Sequence, residues 1–211
     1  MRPYTLHGRG FDLDPLTAED IERVYEYCQD PDIQRWTLLP SPYRRSDAAE
    51  FVLNQAPQWW EQDVHRAWGI REMTPDGPYL AGSVGLRLDG EGSADLGYLL
   101  APDCRGRGLG TAAVRLATRH ALDPGGMGMR RVIVRIFVGN WSSRALVQRA
   151  GFSLNGTVRS EIVRRGRAFD CWMATMIPSD AAITSEAWTD NPVGRLDPTL
   201  GLADAENDQG E

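Results

Sequence analysis

Lysine is missing altogether: all 23 basic residues of the 211 are arginine. That absence excludes the phosphate-binding P-loop, GxxxxGK[ST], whose lysine reaches the phosphates. GC-rich codon usage accounts for an all-arginine chain without any functional demand. Cysteine is scarce as well. Cys28, Cys104 and Cys171 show no CxxC spacing, so neither a disulfide framework nor a zinc site is indicated, and no metal is expected. No apolar run approaches the roughly 20 residues that span a bilayer. The start, MRPYTLHGRGFDLD, lacks the apolar segment of a signal peptide. These absences together predict a cytoplasmic protein with free thiols and no membrane partner. A basic excess is also lacking. From Pro178 onward eight acidic residues face Arg195 alone, while the first 177 residues hold 22 basic and 21 acidic groups. The tail therefore carries the net charge of −6, and the nearly neutral body argues against a nucleic-acid partner.

What is present is ordered in a recognisable way. PLTAEDIERVYEYCQDP offers Thr17 as an N-cap and Ile21, Val24, Tyr25 and Cys28 at helical spacing, with Pro31 as the expected stop. A second helix follows Ser46 and carries Trp59 and Trp60 at its far end. RAWGIRE and YLAGSVGLRLD are β-like runs separated by the turn signal TPDG, and SADLGYLL follows the turn DGEG. A helix then reaches about Leu122 before DPGG. RVIVRIFV is β-branched and alternates with Arg131 and Arg135. NWSSRALVQRAGF forms a capped helix stopped by Gly151, and two last strands meet near Arg165-Gly166. The predicted order is β-α-α-β-β-β-α-β-α-β-β, a mixed α/β domain over residues 1–177. The tail, 178–211, lacks periodicity and is expected to be extended or disordered.

The stretch PDCRGRGLGTAAVRLATRH, from Pro102 to His120, joins a strand to a helix through glycines and arginines. Backbone N–H groups at a helix start lack partners, and the macrodipole adds partial positive charge there. Glycines at 106, 108 and 110 let an anion approach those groups, and Arg105 and Arg107 add charge-assisted contacts. The Rossmann pattern GxGxxG fails, because after Gly106 and Gly108 its third glycine falls on Thr111. The pattern [RQ]xxGx[GA] is met by Arg105, Gly108 and Gly110. This unit resembles the acetyl-coenzyme A pyrophosphate loop of the GNAT superfamily of N-acetyltransferases. GNWSSRALVQRAGFSLNGTVR resembles the NxxSxxxxxKxGFxxxGxxR block of the branch that holds the ribosomal-protein N-terminal acetyltransferases. Asn140, Ser143, Gly151, Phe152, Gly156 and Arg159 match in register, with Arg149 where lysine is usual. ADLGYLLAPDCRGRGLGTAAV is similar to that branch's AEIGYxLxPxxxGxGxATEA block, with Ala112 in place of its glutamate.

The resemblance implies a mostly antiparallel central sheet, flanked by helices and splayed where the pantetheine arm enters. It implies direct attack of an amine on the acetyl thioester. Backbone near Leu100 would polarise the carbonyl. Arg105, Gly106, Arg107, Gly108, Leu109, Gly110 and Thr111 would hold the pyrophosphate, with Asn140 and Arg149 also contacting the cosubstrate. Many superfamily members protonate the thiol with a tyrosine at the position of Val147. Ser143 is the substitute, and Asp95 or Glu161 the base. Asn140 has a structural reading as a helix N-cap, Ser143 as a helix-start residue, and Asp95 and Glu161 as ion-paired strand residues. The expected partners are acetyl-CoA and a primary amine, either a protein N-terminus or a small molecule, in a monomer or homodimer. A GNAT-like acyl-CoA sensor without turnover is the alternative function.

Overall fold

The structure is a computed structural model that describes residues 1–180. Its eight strands are β1 (Leu6–His7), β2 (Phe11–Asp14), β3 (His65–Thr74), β4 (Gly77–Leu88), β5 (Ser93–Leu100), β6 (Arg131–Phe137), β7 (Ser153–Arg164) and β8 (Arg167–Met176). They form one sheet in the order β1-β2-β3-β4-β5-β6-β8-β7. Only β5 and β6 run parallel; every other neighbouring pair is antiparallel. The helices are α1 (Ile21–Tyr27), α2 (Pro31–Trp36), α3 (Arg45–Glu50), α4 (Ala56–Glu61), α5 (Leu109–Leu122) and α6 (Trp141–Ala150). The mixed, mostly antiparallel architecture expected from the sequence is the one observed. The tail expected from 178 lies, from residue 181 on, outside the described residues. No helix among the described residues is long and apolar enough to cross a membrane.

Local chemistry explains most boundaries. The β7–β8 turn places Arg165 and Gly166 at φ 49° and 75°, the left-handed pair of a two-residue hairpin turn. Gly151 ends α6 in the left-handed conformation, φ 105°. α5 buries Ala113, Val114, Ala117, Thr118, Ala121 and Leu122 along one stripe, the face that sits on the sheet. Trp60 and Trp68 are almost fully buried and meet edge to face with ring centroids 5.2 Å apart.

Two expectations are corrected. Pro31 does not merely stop the first helix; it opens α2 at the N1 position, where its missing N–H is no loss. Asp30 caps that helix, accepting from the Ile33 N–H at 2.9 Å. The second expected helix is three segments. α3 begins at Arg45, one residue before Ser46, then Phe51–Gln55 widens into a π-helical turn, and α4 completes the run. The short strand β1 was not anticipated, because two residues carry no readable alternation.

The first helix is fastened to the sheet by a charge pair. Asp20 is 4% exposed, and both of its carboxylate oxygens accept from Arg71 of β3, at 2.9 and 2.7 Å. One oxygen also accepts the Thr17 N–H at 2.7 Å, so a single carboxylate ends the chain's turn into α1 and anchors it. Removing one partner of a buried pair leaves the other charge uncompensated, at a cost of about 3–5 kcal/mol. Asp20→Ala is therefore expected to lower stability by about 3 kcal/mol, read as a lower urea midpoint at unchanged slope.

Candidate active site

The parallel pair β5–β6 is incomplete. Pairing runs from Ser93↔Arg131 to Leu96↔Val134 and stops, although β5 continues to Leu100 and β6 to Phe137. Each strand stays paired on its other side: β5 with β4 as far as Gly82↔Leu100, β6 with β8 as far as Phe137↔Cys171. The two strands therefore part beyond Leu96 and Val134. The hydrogen bonds Asp89 N–H to Ser93 O and Ala101 N–H to Ala81 O fix which residues of β5 face β4. In an antiparallel ladder these alternate, so the odd-numbered residues from Ser93 to Ala101 bond toward β4. The N–H and C=O of Tyr98 and Leu100 are then directed into the gap. Arg105 Nε donates to the Leu100 carbonyl at 3.2 Å, leaving the Leu100 N–H as the open donor at the head of the gap.

The loop that follows leads to the start of α5. Gly106 and Gly108 adopt φ of 80° and 83°, and a Cβ on either would enter open space. Gly108 is the N-cap of α5 and has no side chain to bond the first helical N–H groups, so those of Leu109, Gly110 and Thr111 remain without a cap. Gly110 has a different task from its two neighbours. A Cβ there would stand 2.9 Å from Leu146 Cδ1 of α6 and 3.4 Å from Leu100 Cδ1, so glycine lets α5 and α6 close over the end of β5. The loop's two arginines are held by distant carboxylates. Arg105 donates to Asp30 at 2.7 Å, and Arg107 grips Glu72 with both terminal nitrogens at 3.0 and 2.9 Å.

The start of α6 flanks the same gap. Asn140 caps it, its Oδ1 accepting the Ser143 N–H at 3.1 Å, which leaves the amide NH2 able to donate elsewhere. The hydroxyl of Tyr98, from the unpaired part of β5, donates to the Ser143 carbonyl at 3.2 Å. Burial pushes the Tyr98 phenol up to about 12. Val147, one turn further along α6, is fully buried. Arg149 lies in the last turn of α6, where its carbonyl accepts from Arg115.

Asp95 and Glu161 lie elsewhere. Side chains alternate across a strand, so Asp95 points to the face opposite Tyr98 and Leu100. There Arg135 of β6 joins the two carboxylates, donating through Nε to Glu161 at 2.8 Å and through Nη1 to Asp95. Arg87 adds a contact to Asp95 at 3.0 Å. Burial opposes the charge on Arg135, but Glu161 and Asp95 outweigh it and raise its pKa. Thus the expected cosubstrate residues from Leu100 to Thr111 gather with Asn140 and Ser143 around the gap. The two candidate bases form a separate row on the other side of the sheet.

Sequence reasoning missed two side chains. Tyr98 was read only as part of the strand GYLL; its even position on β5, shared with the buried Leu96, is the signal for its direction. His65 is the other. Its ring lies over Gly85, which pairs with Gly97, and stacks on Trp59 with centroids 4.5 Å apart. Gly97 itself is exposed and a Cβ on it would meet nothing, so it forms an open floor beside His65 on the Asp95 face.

Residues 11–153 match the model of the acetyltransferase (GNAT) domain family. The chain is 21% identical over 160 residues to the uncharacterized N-acetyltransferase YoaA of Bacillus subtilis, covering 75% of this chain and 88% of that protein. Among solved structures, Mycobacterium smegmatis RimJ in complex with CoA-disulfide aligns with a TM-score of 0.75 at 16% identity, over 86% of this chain and 91% of that one. A spermidine N-acetyltransferase from Vibrio cholerae, in complex with CoA and spermine, aligns with a TM-score of 0.67 at 17% identity. That alignment covers 82% of this chain and 98% of that one. At such identities the two structures establish a shared fold.

The imidazole of His65 is lowered to about 4 by burial, with Arg87 and Arg66 adding to the effect. A folded value below the unfolded one means that the unfolded chain takes up the proton first as pH falls. His65 therefore withdraws stability as pH drops from about 6.5 to about 4 and has no effect above that window. His120 is lowered in the same direction. In His65→Gln, the loss of stability on acidification across this window should be smaller than in the unaltered protein, measured as urea midpoints at a series of pH values.

Proposed function

The chain belongs to the acetyltransferase (GNAT) domain family, and on that premise we propose that it transfers an acetyl group from acetyl-CoA to a primary amine within a ternary complex. The observation that carries the reading is the parting of β5 from β6 beside an uncapped helix start. An extended thiol arm fits a gap between strands, and a pyrophosphate fits free N–H groups, positive macrodipole and two arginines. The open Cβ directions at Gly106 and Gly108 leave room for phosphate oxygens close to the backbone. These residues suit the cosubstrate on their own chemistry.

In this reading Arg105, Gly106, Arg107, Gly108, Leu109, Gly110 and Thr111 hold the pyrophosphate. The free amide of Asn140 donates to the pantetheine arm, and Arg149 adds positive charge further along α6. The Leu100 N–H donates to the thioester oxygen, where negative charge develops as the amine attacks. Asp95 or Glu161, on the far face, receives the amine's proton through water, and Ser143 lies on the side of the departing sulfur. Base and leaving group are thereby served from opposite faces of the sheet. The acceptor enters over the floor at Gly97, beside His65 and the Asp95–Arg135–Glu161 row. The spermidine N-acetyltransferase is named for a small amine, so small amines are tested beside peptide N-termini.

Purified protein incubated with acetyl-CoA and a panel of peptides and amines is expected to release free thiol with at least one acceptor. A thermal shift with CoA but no release from any of them would favour a sensor. For the loop, the double variant Arg105→Gln, Arg107→Gln is expected to lose the CoA-induced rise in melting temperature. Its own melting point should change little, since partly exposed ion pairs contribute about 0–1 kcal/mol each. Ser143→Ala is expected to lower kcat more than CoA affinity; an equal loss in both would assign the serine to binding.

A further inference from the structure

The phenol of Tyr98 has no assigned part in the reaction, yet it stands beside the gap, on the face that carries α6. Three features set it apart. Its residue belongs to the part of β5 that β6 has left, so the side chain emerges beside the space between the strands. Its hydroxyl crosses to the first turn of α6 and rests on a backbone carbonyl, that of Ser143, at 3.2 Å. A resting partner of that kind is a neutral acceptor, which an O–H leaves readily for an anionic one. Third, burial keeps the group in its protonated form, with the Ser143 side chain and the positive charge of Arg149 pulling the other way and failing to outweigh it.

We propose that the Tyr98 hydroxyl is the hydrogen-bond donor to the sulfur that departs from the acetyl group, turning to it from the Ser143 carbonyl. The inference rests on the acetyl-transfer reading above. In the step it serves, the amine nitrogen forms a bond to the carbonyl carbon and the carbon–sulfur bond breaks with its electron pair on sulfur. The amine's surplus proton passes through water to Asp95 or Glu161 and from there to solvent, and the thiolate later takes one from solvent. Tyr98 keeps its proton throughout and lends a charge-assisted hydrogen bond to the anion. A serine hydroxyl is a weaker donor than a phenol, which accounts for the use of a tyrosine here even though Ser143 is adjacent.

A donor to a thiolate must also act on the product complex, where it can be read without turnover. The ultraviolet absorbance of the thiolate, followed against pH with CoA bound, gives the titration of the bound thiol. Hydrogen bonds to charged groups correspond to about a tenfold effect or more, so the bound thiol should titrate about one pH unit higher in Tyr98→Phe than in the unaltered protein. The CoA-induced rise in melting temperature should survive in the variant, and kcat should fall about tenfold or more. Ser143→Ala keeps both the backbone carbonyl and the Tyr98 phenol, so the thiol titration should move less in it than in Tyr98→Phe. Identical titrations in the unaltered protein and Tyr98→Phe would overturn the inference, as would a titration that moves in Ser143→Ala and not in Tyr98→Phe. Should the phenylalanine variant fail to fold, Tyr98→Met carries the same test. Failure of the unaltered protein to bind CoA at all would instead remove the acetyl-transfer reading, and this inference with it.

Discussion

The constraint on which the rest depends is the opening between β5 and β6. A sheet gains by pairing every backbone group, and an N–H left unpaired in a buried place costs about 1–3 kcal/mol. Here pairing stops at Leu96 and Val134 while both strands run on. What holds them apart is that each is committed elsewhere. β4 follows β5 to Leu100, and β8 follows β6 to Phe137, so neither strand can bend back without breaking an antiparallel ladder. The helices then keep the open end in shape. Gly110 lets α5 approach Leu146 of α6, and the Arg105 guanidinium takes the Leu100 carbonyl that β6 would have bonded.

That opening also divides the chemistry. Strand alternation sends Tyr98 and Leu100 toward α5 and α6, and Asp95 toward Arg135 and Glu161. The gap is therefore flanked by hydroxyls on one face of the sheet and by carboxylates on the other. The sheet itself keeps the two sets apart. Arg135 of β6 has a structural part in this: it bridges Asp95 of β5 and Glu161 of β7 and so holds together two carboxylates that would otherwise repel.

The elements legible in the sequence are those defined by short-range patterns. The β7–β8 hairpin, the strand RVIVRIF and the loop before α5 each carry their signal within about ten residues, and each appears where that signal put it. Pro31 shows the limit of a local rule, because proline both ends helices and begins them, and the aspartate before it decides which. The π-helical turn at Phe51–Gln55 has no such marker; helical periodicity continues through it. For the candidate site, the glycines and the Asn140 cap were legible, but the partners of the loop arginines were not. Arg105 meets Asp30, 75 residues away, and Arg107 meets Glu72, 35 away, contacts that only the folded sheet creates. Tyr98 was hidden for the same reason: its role follows from where a neighbouring strand stops pairing.

Those long-range partners bear on how the loop can work. Asp30 and Glu72 hold Arg105 and Arg107 while the two side chains remain 37% and 52% exposed. Ion pairs this open to solvent are weak, so in the proposed reading a pyrophosphate at the α5 start would compete for them with both charge and geometry on its side. The carboxylates thus keep two flexible side chains close to the loop without binding them so tightly that an arriving anion is refused. Asp30 does more than hold an arginine, since the same oxygen that meets Arg105 caps α2. α2 carries Trp36, whose ring reaches Phe137 at the far end of β6. One carboxylate oxygen therefore connects the loop before α5 to the helix that walls the opposite face, and in the proposed reading an anion that drew Arg105 away would leave the α2 hydrogen bond in place.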